Sequence, residues 1–372
     1  MRAAFDARMA GHSGIGRYIR CLIGALAALP EGDLSLTLFL NPAQDAAWVP
    51  SSPHVELRRL PRSMKVFSVR EWTGWGRLLA GQGFDLLHIP NFNGPWTSPV
   101  PLVVTFHDAI YWRFPAATGS LIGGRYAKLM LKRSFGRSAR VIAVSETSAR
   151  DARELLGVAA GRISVIPHGP PALPVPDPGR IRALREAWTA PEGYVLYVGN
   201  FLPHKGLEVL VRSLALLKAQ GRDLPMVLAG KEDARSRALG RLAGGLGLNR
   251  LVFAGGLDDT DLAAAYAGAR VLACPSAWEG FGFPMLEGFA AGTPVVAVDS
   301  GAAPEVAGGA ALLCRPGDAA SMAEAVLSAW GDGPLRSGLI ASGRHRLEAF
   351  SWERAARGTL EAYREVAGAK GS

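Results

Sequence analysis

The sequence predicts an α/β protein of two Rossmann-like, doubly wound domains that face a cleft. Short apolar runs of strand length alternate with helical patterns, which is typical of parallel sheets covered by helices on both faces. This alternation occurs twice, before and after one proline-rich segment. The chain has 372 residues, more than the roughly 250 to 300 that one hydrophobic core usually serves, so two domains are expected.

The expected strands form two groups. After a short first strand, those of the first half cover residues 34–40, 85–90, 101–107, 140–145 and 163–167. Those of the second half cover residues 194–200, 225–230, 251–256, 271–276, 293–299 and 310–316. A helix is predicted over 204–220, where leucines and valines recur at helical spacing, and a short one over 260–268 after a polar turn.

Residues 168–180 separate the two groups. Their prolines, two of them adjacent, are incompatible with a helix interior or a central strand, so we expect an extended, stiff connector. The predicted domains are residues 1–172 and 173–349. An amphipathic tail over 350–366 is well separated from the last strand, and we expect 350–372 to cross back onto the first domain.

Composition identifies the class of protein. Hydrophobic residues make up 49% and charged residues 20%, which excludes a mainly disordered chain. No window approaches the roughly 18 apolar residues of a membrane span, and Asp6 lies where a signal peptide requires an apolar stretch. We expect a cytoplasmic protein. Cys21, Cys274 and Cys314 are far apart in apolar surroundings, which favours buried thiols over disulfides or a metal site.

The formal net charge of +9 is concentrated in the first half of the chain. Residues 1–178 carry 20 Lys and Arg against 12 Asp and Glu, whereas the remainder carries 21 against 20. This asymmetry indicates an anionic partner for the first half, such as a membrane surface, a phosphorylated substrate or nucleic acid. Residues 63–79 and 123–140 mix basic with apolar side chains as lipid-binding surfaces do, although solvated helix faces over the core explain them equally well.

The most specific motif is CPSAWEGFGFPMLEGFAAGTPVVAV, residues 274–298. Two glycines and a proline break its first part, and Pro284 suits the first position of a helix. We therefore expect Glu279 in a loop and Glu287 in the opening turns of the helix. Both carboxylates would border a helix N-terminus, which favours a phosphate, while the carboxylates accept bonds from sugar hydroxyls. A capped helix with two surface carboxylates is the alternative.

A second motif is YVGNFLPHKGLEVLV, residues 197–211. A buried strand ends at Gly199, and Lys205 then stands at the start of a long helix. A cation is electrostatically misplaced at the positive end of a helix dipole unless an anion lies there as well. The pattern favours a diphosphate held by Lys205, with a solvated surface lysine as the alternative.

Two further segments follow strands of the first half. In AGHSGIGRY, residues 10–18, Gly14 and Gly16 let the backbone approach a ligand, although the spacing is not the full dinucleotide fingerprint and a tight strand-to-helix turn also explains it. In TFHDAIYWRFP, residues 105–115, His107 lies at the end of a buried strand, where ligand crevices of open α/β sheets are found. A purely structural histidine is the alternative there.

Together these motifs resemble the retaining family 4 glycosyltransferases of the GT-B architecture, especially bacterial mannosyltransferase-like members that build surface polysaccharides. The resemblance is carried by EGFGFPMLE, by KG after the glycine strand end, by HD after an earlier strand and by GIGRY. It extends from Asp6 through FSWERAARGTLEAY and covers nearly the whole chain. It implies transfer of a hexose from a nucleotide-sugar donor to a saccharide or polyprenyl-linked acceptor in polysaccharide biosynthesis, with an α-glycosidic bond formed.

The resemblance also implies roles for single residues. His107 would face the donor sugar, Lys205 would hold the diphosphate and Glu279 would bind sugar hydroxyls, and these three are the expected catalytic residues. Donor binding is implied for a larger set, in which Glu287 takes the ribose: Gly14, Gly16, Asn200, Lys205, Glu279, Gly280, Phe281, Gly282 and Glu287.

One position departs from the family pattern. Many relatives carry Arg where this chain has Asn200, so one phosphate-binding charge is missing, and His204 is a candidate to compensate for it. No metal or other cofactor is implied. Asp259 and Asp261 could be taken for a metal-binding pair, but they precede a short helix, where capping carboxylates explain them more simply.

Other functions stay open at this point. Mannose from GDP-mannose is the favoured donor, and a UDP-sugar is the alternative within the same fold. A glycoside hydrolase using Glu279 and Glu287 would need its carboxyl groups about 5 to 5.5 Å apart for retention, and Lys205 speaks against it. A non-catalytic basic module is disfavoured because the basic excess covers only one half, and we expect no nucleic-acid partner. A peripheral position on the inner face of the cell membrane is an expectation that follows from the basic first half.

Overall fold

The computed structural model describes residues 1–12, 14–30, 32–66, 68–114 and 121–369. Ser13, Phe67 and Pro115, which belong to segments singled out above, lie outside the described residues. Two compact units are formed: unit 1 is Met1–Gly169 with Phe350–Ser372, and unit 2 is Pro170–Ala349. The boundary expected between residues 172 and 173 therefore falls between residues 169 and 170 in the structure.

The described part of unit 1 alternates strands and helices. Its elements before the linker are β1 (Arg2–Asp6), α1 (Gly14–Ala27), β2 (Ser35–Leu40), β3 (Val55–Arg59), α2 (Val69–Leu79), β4 (Leu86–Ile89), β5 (Leu102–Phe106), α3 (Ile110–Arg113), α4 (Leu121–Arg137), β6 (Arg140–Ala143), α5 (Glu146–Leu156) and β7 (Ile163–Val165). The strands form one parallel sheet in the order β3-β2-β1-β4-β5-β6-β7. The strand order reverses between β1 and β4, and ligands bind outside the carboxyl ends of such a switch point.

Strand β3 was not predicted from the sequence. Its residues VELRR are half-buried or exposed, because it lies at the edge of the sheet. The inner strands are different: β4 and β5 are buried along their whole length, as expected of parallel strands covered on both faces. The alternating polarity of an edge strand gave no apolar run to detect.

Unit 2 repeats this design with a six-stranded parallel sheet. Its elements are α6 (Pro178–Ala187), β8 (Val195–Val198), α7 (Leu207–Ala219), β9 (Met226–Ala229), α8 (Ala234–Gly245), β10 (Leu251–Gly255), α9 (Asp259–Gly268), β11 (Val271–Cys274), α10 (Phe283–Ala291), β12 (Val295–Val298), α11 (Ala303–Ala307), β13 (Ala311–Cys314), α12 (Ala319–Trp330) and α13 (Pro334–Leu347). The order is β10-β9-β8-β11-β12-β13, so the switch point lies between β8 and β11. The prediction of two doubly wound parallel sheets is confirmed.

The proline-rich connector is shorter than expected. Residues 168–180 were predicted to be extended, but α6 already begins at Pro178, with Asp177 as its N-cap accepting a hydrogen bond from the Arg180 N–H at 2.8 Å. Proline is tolerated in the first turn of a helix, where its missing N–H has no partner to lose. The prediction was wrong for these last residues.

The C-terminal helix α14 (Trp352–Gly368) packs within unit 1, as predicted for the tail. On its inner face the Tyr363 hydroxyl lies 2.5 Å from His88 Nδ1 of β4. On its outer face Arg364 pairs with Asp33 at 3.0 Å, and Glu365 pairs with Arg140. The helix therefore joins unit 1 through both a buried hydrogen bond and surface ion pairs.

None of the three cysteines, all of them among the described residues, forms a disulfide. Cys314 is buried, whereas Cys21 and Cys274 are half-buried. Burial raises the pKa of Cys274 to about 12 and that of Cys314 to about 11. Both thiols therefore stay protonated and unreactive near neutral pH.

Candidate active site

Three loops of unit 2 lock together at the carboxyl ends of its central strands. After β8, Gly206 has φ 68°, and a Cβ on it would come within 2.0 Å of the Pro275 carbonyl oxygen after β11. The Ala277 N–H donates to the His204 carbonyl at 2.7 Å. The loop after β12 joins them, since the Ala302 N–H donates to the Glu279 carbonyl at 3.0 Å. The backbone around the switch point is therefore fixed before any ligand binds.

These loops bring Lys205 and Glu279 together. The Lys205 ammonium donates to Glu279 Oε1 at 2.6 Å, and the Ser276 hydroxyl donates to the same oxygen at 2.7 Å. Both charged side chains keep some exposure, 16% for Lys205 and 26% for Glu279. Burial acts to raise the pKa of Glu279, but the Lys205 charge and these hydrogen bonds outweigh it and lower that pKa. Glu279 is therefore ionised at neutral pH.

Lys205 does not lie on the long helix, contrary to expectation. It ends a short 3-10 helix, Pro203–Lys205, and α7 begins only at Leu207, after Gly206. The anion beside it in the structure is the Glu279 carboxylate. An ammonium carries three N–H donors, so two remain for a further acceptor.

Glu287 lies in the middle of α10, which begins at Phe283, one residue before the predicted start. Gly282 caps this helix with φ 100°, a conformation that favours glycine. Glu287 is 2% exposed, and its Oε2 accepts a hydrogen bond from the Tyr266 hydroxyl of α9 at 2.5 Å. The alternative of two surface capping carboxylates is therefore wrong for this residue.

The remaining donor-site candidates of unit 2 lie in loops that follow its central strands. Gly280 and Phe281 are buried, and the Phe281 ring packs edge-on against Phe283 with centroids 5.8 Å apart. Asn200 is exposed, and its Oδ1 accepts from the Leu202 N–H at 3.3 Å. All of these candidates lie on the loops after β8 and β11.

His204 does not replace the missing arginine charge. It is buried, and burial, together with the neighbouring Lys205 charge, lowers its pKa to about 4. The imidazole is therefore neutral at physiological pH. Lys205 is left as the cation at the end of β8.

In unit 1 the two glycine candidates differ. A Cβ on Gly16 would come within 2.4 Å of the Ala10 carbonyl oxygen, so close packing of α1 against its own loop already requires glycine there. Gly14 begins α1, and a Cβ on it would meet nothing within 4 Å. The space beside Gly14 is therefore open, whereas the close packing of α1 against its own loop requires glycine at position 16.

His107 directly follows β5 and is half-buried. Its Nε2 lies 2.9 Å from the Pro90 carbonyl oxygen, and because a carbonyl only accepts, Nε2 carries the proton and Nδ1 is left as an acceptor. Burial lowers the pKa of His107 to about 4. The Tyr18 ring, with its centroid 4.9 Å away, packs against it. His107 is a neutral, oriented hydrogen-bonding group.

Sequence reasoning missed the partners that orient these residues. Tyr266 and Ser276 lay inside recognised segments but carry no motif of their own. A buried cluster in unit 1 was missed as well, in which the Arg8 guanidinium donates to Asp6 at 2.6 and 2.7 Å and also to Glu71. Its signal was present, since Asp6 and Arg8 are charged residues at the end of an apolar strand.

The expected acidic pair has other partners. Asp258, not Asp259 or Asp261, is the N-cap of α9 and accepts from the Asp261 N–H at 2.8 Å. Asp261 instead pairs with Arg180 at 2.5 Å. Within the described ranges, no group of three or more His, Cys, Asp or Glu side chains is arranged to hold a metal ion.

The basic segment 123–140 forms most of α4. The ammonium groups of Lys128 and Lys132 lie 5.0 and 5.3 Å from the ring centre of Trp112, and Arg133 lies 4.4 Å from that of Trp96. Leu129 on the same helix is 56% exposed. Among the described residues, no helix is both long and apolar enough to cross a bilayer.

Two family models match the chain, one in each half. The model described as Glycosyltransferase Family 4 matches residues 12–170, and that described as Glycosyl transferases group 1 matches residues 182–346. Between them they include every candidate residue named above. The two matches follow the division into two units.

Curated relatives are similar over almost their full length. An O-antigen chain mannosyltransferase B from Escherichia coli is 29% identical over 95% of this chain and 96% of its own. A phosphatidyl-myo-inositol mannosyltransferase from Mycobacterium leprae is 30% identical over 95% of this chain and 89% of its own. Such coverage extends the relationship across both units.

A solved structure shows the same fold. HepE from Anabaena, in complex with UDP and glucose, superposes with a TM-score of 0.74 at 21% identity, over 97% of this chain and 98% of its own. The resemblance drawn from the motifs is thereby confirmed. The chain belongs to the family 4 glycosyltransferases and has their GT-B architecture.

Proposed function

We propose that this glycosyltransferase moves mannose from GDP-mannose to a saccharide or polyprenyl-linked acceptor in polysaccharide biosynthesis, with retention and an α-linked product. The observation that carries the proposal is the Lys205–Glu279 pair at the switch point of unit 2, a cation beside a carboxylate on preformed loops. The names of two relatives, both mannosyltransferases, support the choice of sugar.

Lys205 holds the donor diphosphate. One of its N–H groups is fixed by Glu279, and two remain for phosphate oxygens. As the bond between the sugar and the phosphate breaks, negative charge develops on the leaving nucleotide, and a preorganised ammonium stabilises it. Glu279, held by Ser276 as well, then accepts hydrogen bonds from sugar hydroxyls through its remaining lone pairs.

Glu287 binds the ribose of the donor. Its Oε2 is held by Tyr266, so its other carboxylate oxygen is kept in one orientation. The glycine loop of Gly280 and Gly282, with Phe281, provides backbone against sugar and phosphate, and Gly14 and Gly16 line the phosphates from their own loop. Asn200 contributes polar contact without charge.

His107 positions the donor sugar and is not a general base. Its Nε2–H is taken by Pro90, and a pKa near 4 makes it a weak base at neutral pH. Nδ1 accepts a hydrogen bond from a sugar hydroxyl. The acceptor hydroxyl attacks C1 on the face that the phosphate leaves, and the leaving phosphate oxygen takes its proton. One C1–O bond forms and one breaks on the same face, which retains the configuration.

A UDP-sugar is the second candidate donor. The observation that favours it is HepE, whose solved structure contains UDP and glucose. Both donors present a diphosphate to Lys205, so they differ only at the base and the sugar. A glycoside hydrolase is not proposed, because the chain belongs to a glycosyltransferase family.

The acceptor and the membrane are connected through unit 1. The basic side chains of α4, with Trp112, Trp96 and the exposed Leu129, form a surface suited to anionic lipid head groups. A peripheral position on the inner face of the membrane would bring a polyprenyl-linked acceptor to the enzyme. No nucleic-acid partner is proposed.

The test is a panel of nucleotide sugars incubated with the purified chain, with each released nucleotide identified by chromatography. We expect slow hydrolysis of GDP-mannose to GDP, faster when a mannoside acceptor is added, and unchanged in excess EDTA because Lys205 supplies the positive charge. Release of UDP alone would replace the donor assignment, and an absolute requirement for added Mg²⁺ or Mn²⁺ would overturn the metal-free chemistry.

A further inference from the structure

Tyr18, the last residue of the GIGRY segment, has no role in the donor site proposed above. It lies near the start of α1 and is 2% exposed. The start of this helix is held close to the loop after β1, because Gly16 packs against the Ala10 carbonyl and the Arg20 guanidinium donates to the same carbonyl. The packing of α1 therefore fixes where the Tyr18 side chain begins.

The Tyr18 ring packs edge-to-face against His107. The two ring centroids are 4.9 Å apart and the planes meet at 83°, within the roughly 4.5 to 7 Å that is usual for aromatic pairs. The Nε2–H of His107 donates to the Pro90 carbonyl, and the Ser148 hydroxyl donates to the His107 carbonyl, both at 2.9 Å. One hydrogen bond fixes a single ring nitrogen but not the plane of the imidazole. That plane depends on Tyr18.

Tyr18 is itself held by a chain of buried hydrogen bonds. Its hydroxyl lies 2.9 Å from Thr105 Oγ1, which lies 2.7 Å from His88 Nε2, and His88 Nδ1 lies 2.5 Å from the Tyr363 hydroxyl. Burial lowers the pKa of His88 to about 3, so its ring is neutral and donates through one nitrogen while it accepts through the other. The chain of bonds ties the phenol to β5, to β4 and to α14.

Other rings also contact Tyr18. Its centroid lies 4.7 Å from that of His168 and 6.2 Å from that of Trp352, and Trp352 stacks on His168. A Cβ on Gly169 would clash with the Trp352 backbone nitrogen. The chain leaves unit 1 after Gly169 and returns to it at Phe350. A role limited to packing against these two segments is the alternative to a role at His107.

We propose that Tyr18 is a positioning residue for His107: its ring sets the plane of the imidazole, and the buried hydrogen bonds hold the ring in place. The proposal rests on the proposed function, in which His107 Nδ1 accepts a hydrogen bond from a hydroxyl of the donor sugar. Hydrogen bonds weaken steeply as their geometry departs from linearity, so a turned imidazole holds the sugar less well. Tyr18 acts through His107 and contacts neither substrate.

The experiment compares variants that separate the ring from its hydroxyl. Tyr18→Leu removes the ring, whereas Tyr18→Phe keeps the ring and removes only the hydroxyl. Phe84→Leu is the matched control, because Phe84 is a buried ring of unit 1 that precedes β4, whereas His107 follows the parallel neighbour β5 at the opposite edge of the sheet. Thermal unfolding of each variant reports the cost of losing a buried group to the fold.

Turnover of GDP-mannose is measured for these variants with and without His107→Ala. We expect Tyr18→Leu to lower kcat by about tenfold and Tyr18→Phe by about threefold, because a misplaced group costs oriented binding. Phe84→Leu should keep the wild-type kcat, and every variant should keep the wild-type affinity for GDP, which lacks the sugar. Residues that act through one another are not additive, so Tyr18→Leu should lower kcat no further when His107 is already alanine.

An equal loss of kcat in both backgrounds would overturn the proposal and would assign Tyr18 to the segments around His168. If Tyr18→Leu does not fold, Tyr18→Phe is decisive. Its loss of kcat should disappear in the His107→Ala background, and the same loss in both backgrounds, or no loss in either, would overturn the proposal.

A second measurement does not depend on activity. Two-bond nitrogen–proton NMR spectra of protein with isotope-labelled histidine report the tautomer of each ring, and His107→Ala identifies the His107 signals. We expect the Nε2–H tautomer in the wild type, in Tyr18→Phe and in Phe84→Leu, and exchange between the two neutral tautomers in Tyr18→Leu. Unchanged His107 signals in a folded Tyr18→Leu protein would overturn the proposal.

The two proposals can fail separately. A wild type that releases no GDP from GDP-mannose contradicts the donor assignment, and the NMR spectra still decide whether Tyr18 sets the ring of His107. Wild-type turnover by His107→Ala contradicts the role of His107 in the proposed function, and with it any effect of Tyr18 on turnover. Turnover that depends on His107 but not on Tyr18 contradicts only the proposal for Tyr18.

Discussion

Each unit has a cation on the loop that follows its switch-point strand, but the two cations differ in burial and in the number of carboxylates beside them. In unit 1, Arg8 follows the switch-point strand and is buried between Asp6 and Glu71. In unit 2, Lys205 follows the switch-point strand and keeps 16% of its side chain exposed beside one carboxylate. One cation is part of the structure, and the other is available to a ligand.

This difference supports the proposed role of Lys205 in binding the donor diphosphate. A diphosphate requires a cation with N–H groups to spare, which unit 2 offers through Lys205. Part of the net basicity of the first half lies on surface helices such as α4.

The largest effect is expected when the exposed cation of unit 2, Lys205, is removed. Lys205→Ala should lower kcat by about a hundredfold to a thousandfold, because removing one preorganised donor from developing charge costs about that much. Steady-state kinetics with GDP-mannose measure it. Lys218→Ala, which loses a surface pair with Asp223 and a hydrogen bond to the Gly247 carbonyl, should keep wild-type rates. Equal rates for Lys205→Ala and wild type would contradict a role of Lys205 in the active site.

The next effect concerns His107 in unit 1. His107→Ala should lower turnover by about one to three powers of ten, each worth about 1.4 kcal/mol, because oriented binding of the sugar is lost while the chemistry survives. The product of the variant should still be α-linked, as NMR can determine. Complete inactivity of a folded His107→Ala protein would make the histidine essential and contradict a positioning role.

A smaller effect is expected at Glu287. Glu287→Ala should weaken GDP binding by about tenfold to a hundredfold, the usual range for a lost charge-assisted hydrogen bond of about 1.5 to 3 kcal/mol. Calorimetry measures the affinity. Tyr266→Phe, which removes only the hydroxyl that holds the carboxylate, should have a weaker effect in the same direction. Wild-type GDP affinity in Glu287→Ala would exclude a ribose contact.

A separate effect is on stability and concerns buried histidines of both units. Burial lowers the pKa of His88 to about 3 and that of His204 to about 4. The unfolded chain, with ordinary histidines near 6.5, therefore binds protons first as the pH falls. The free energy of unfolding should be highest above about pH 6.5 and decrease toward pH 4. Urea unfolding at a series of pH values measures this, and a free energy that rises on acidification would contradict neutral burial.

Much of the fold was predictable because parallel strands buried on both faces, such as β5 and β12, appear as short apolar runs. Strand β3 was not, because an edge strand has no such run. At the site, the sequence identified Lys205 and Glu279 separately, since each follows a buried strand near glycines. Their direct pairing depends on the strand order, which places β8 beside β11 although these strands are far apart in the chain. Tyr266 was missed because its hydrogen bond to Glu287 joins two different helices, α9 and α10.

The anomeric configuration of the product formed by the wild-type enzyme tests the central claim most directly. The chain would be incubated with GDP-mannose and methyl α-D-mannopyranoside, and the new linkage assigned from the one-bond carbon–proton coupling at C1. If the acceptor attacks C1 on the face that the phosphate leaves, while Lys205 stabilises that phosphate, the product is an α-linked mannoside. No sugar is then bound to the protein. A β-linked product, or a sugar ester trapped on Glu279 or Glu287, would contradict it.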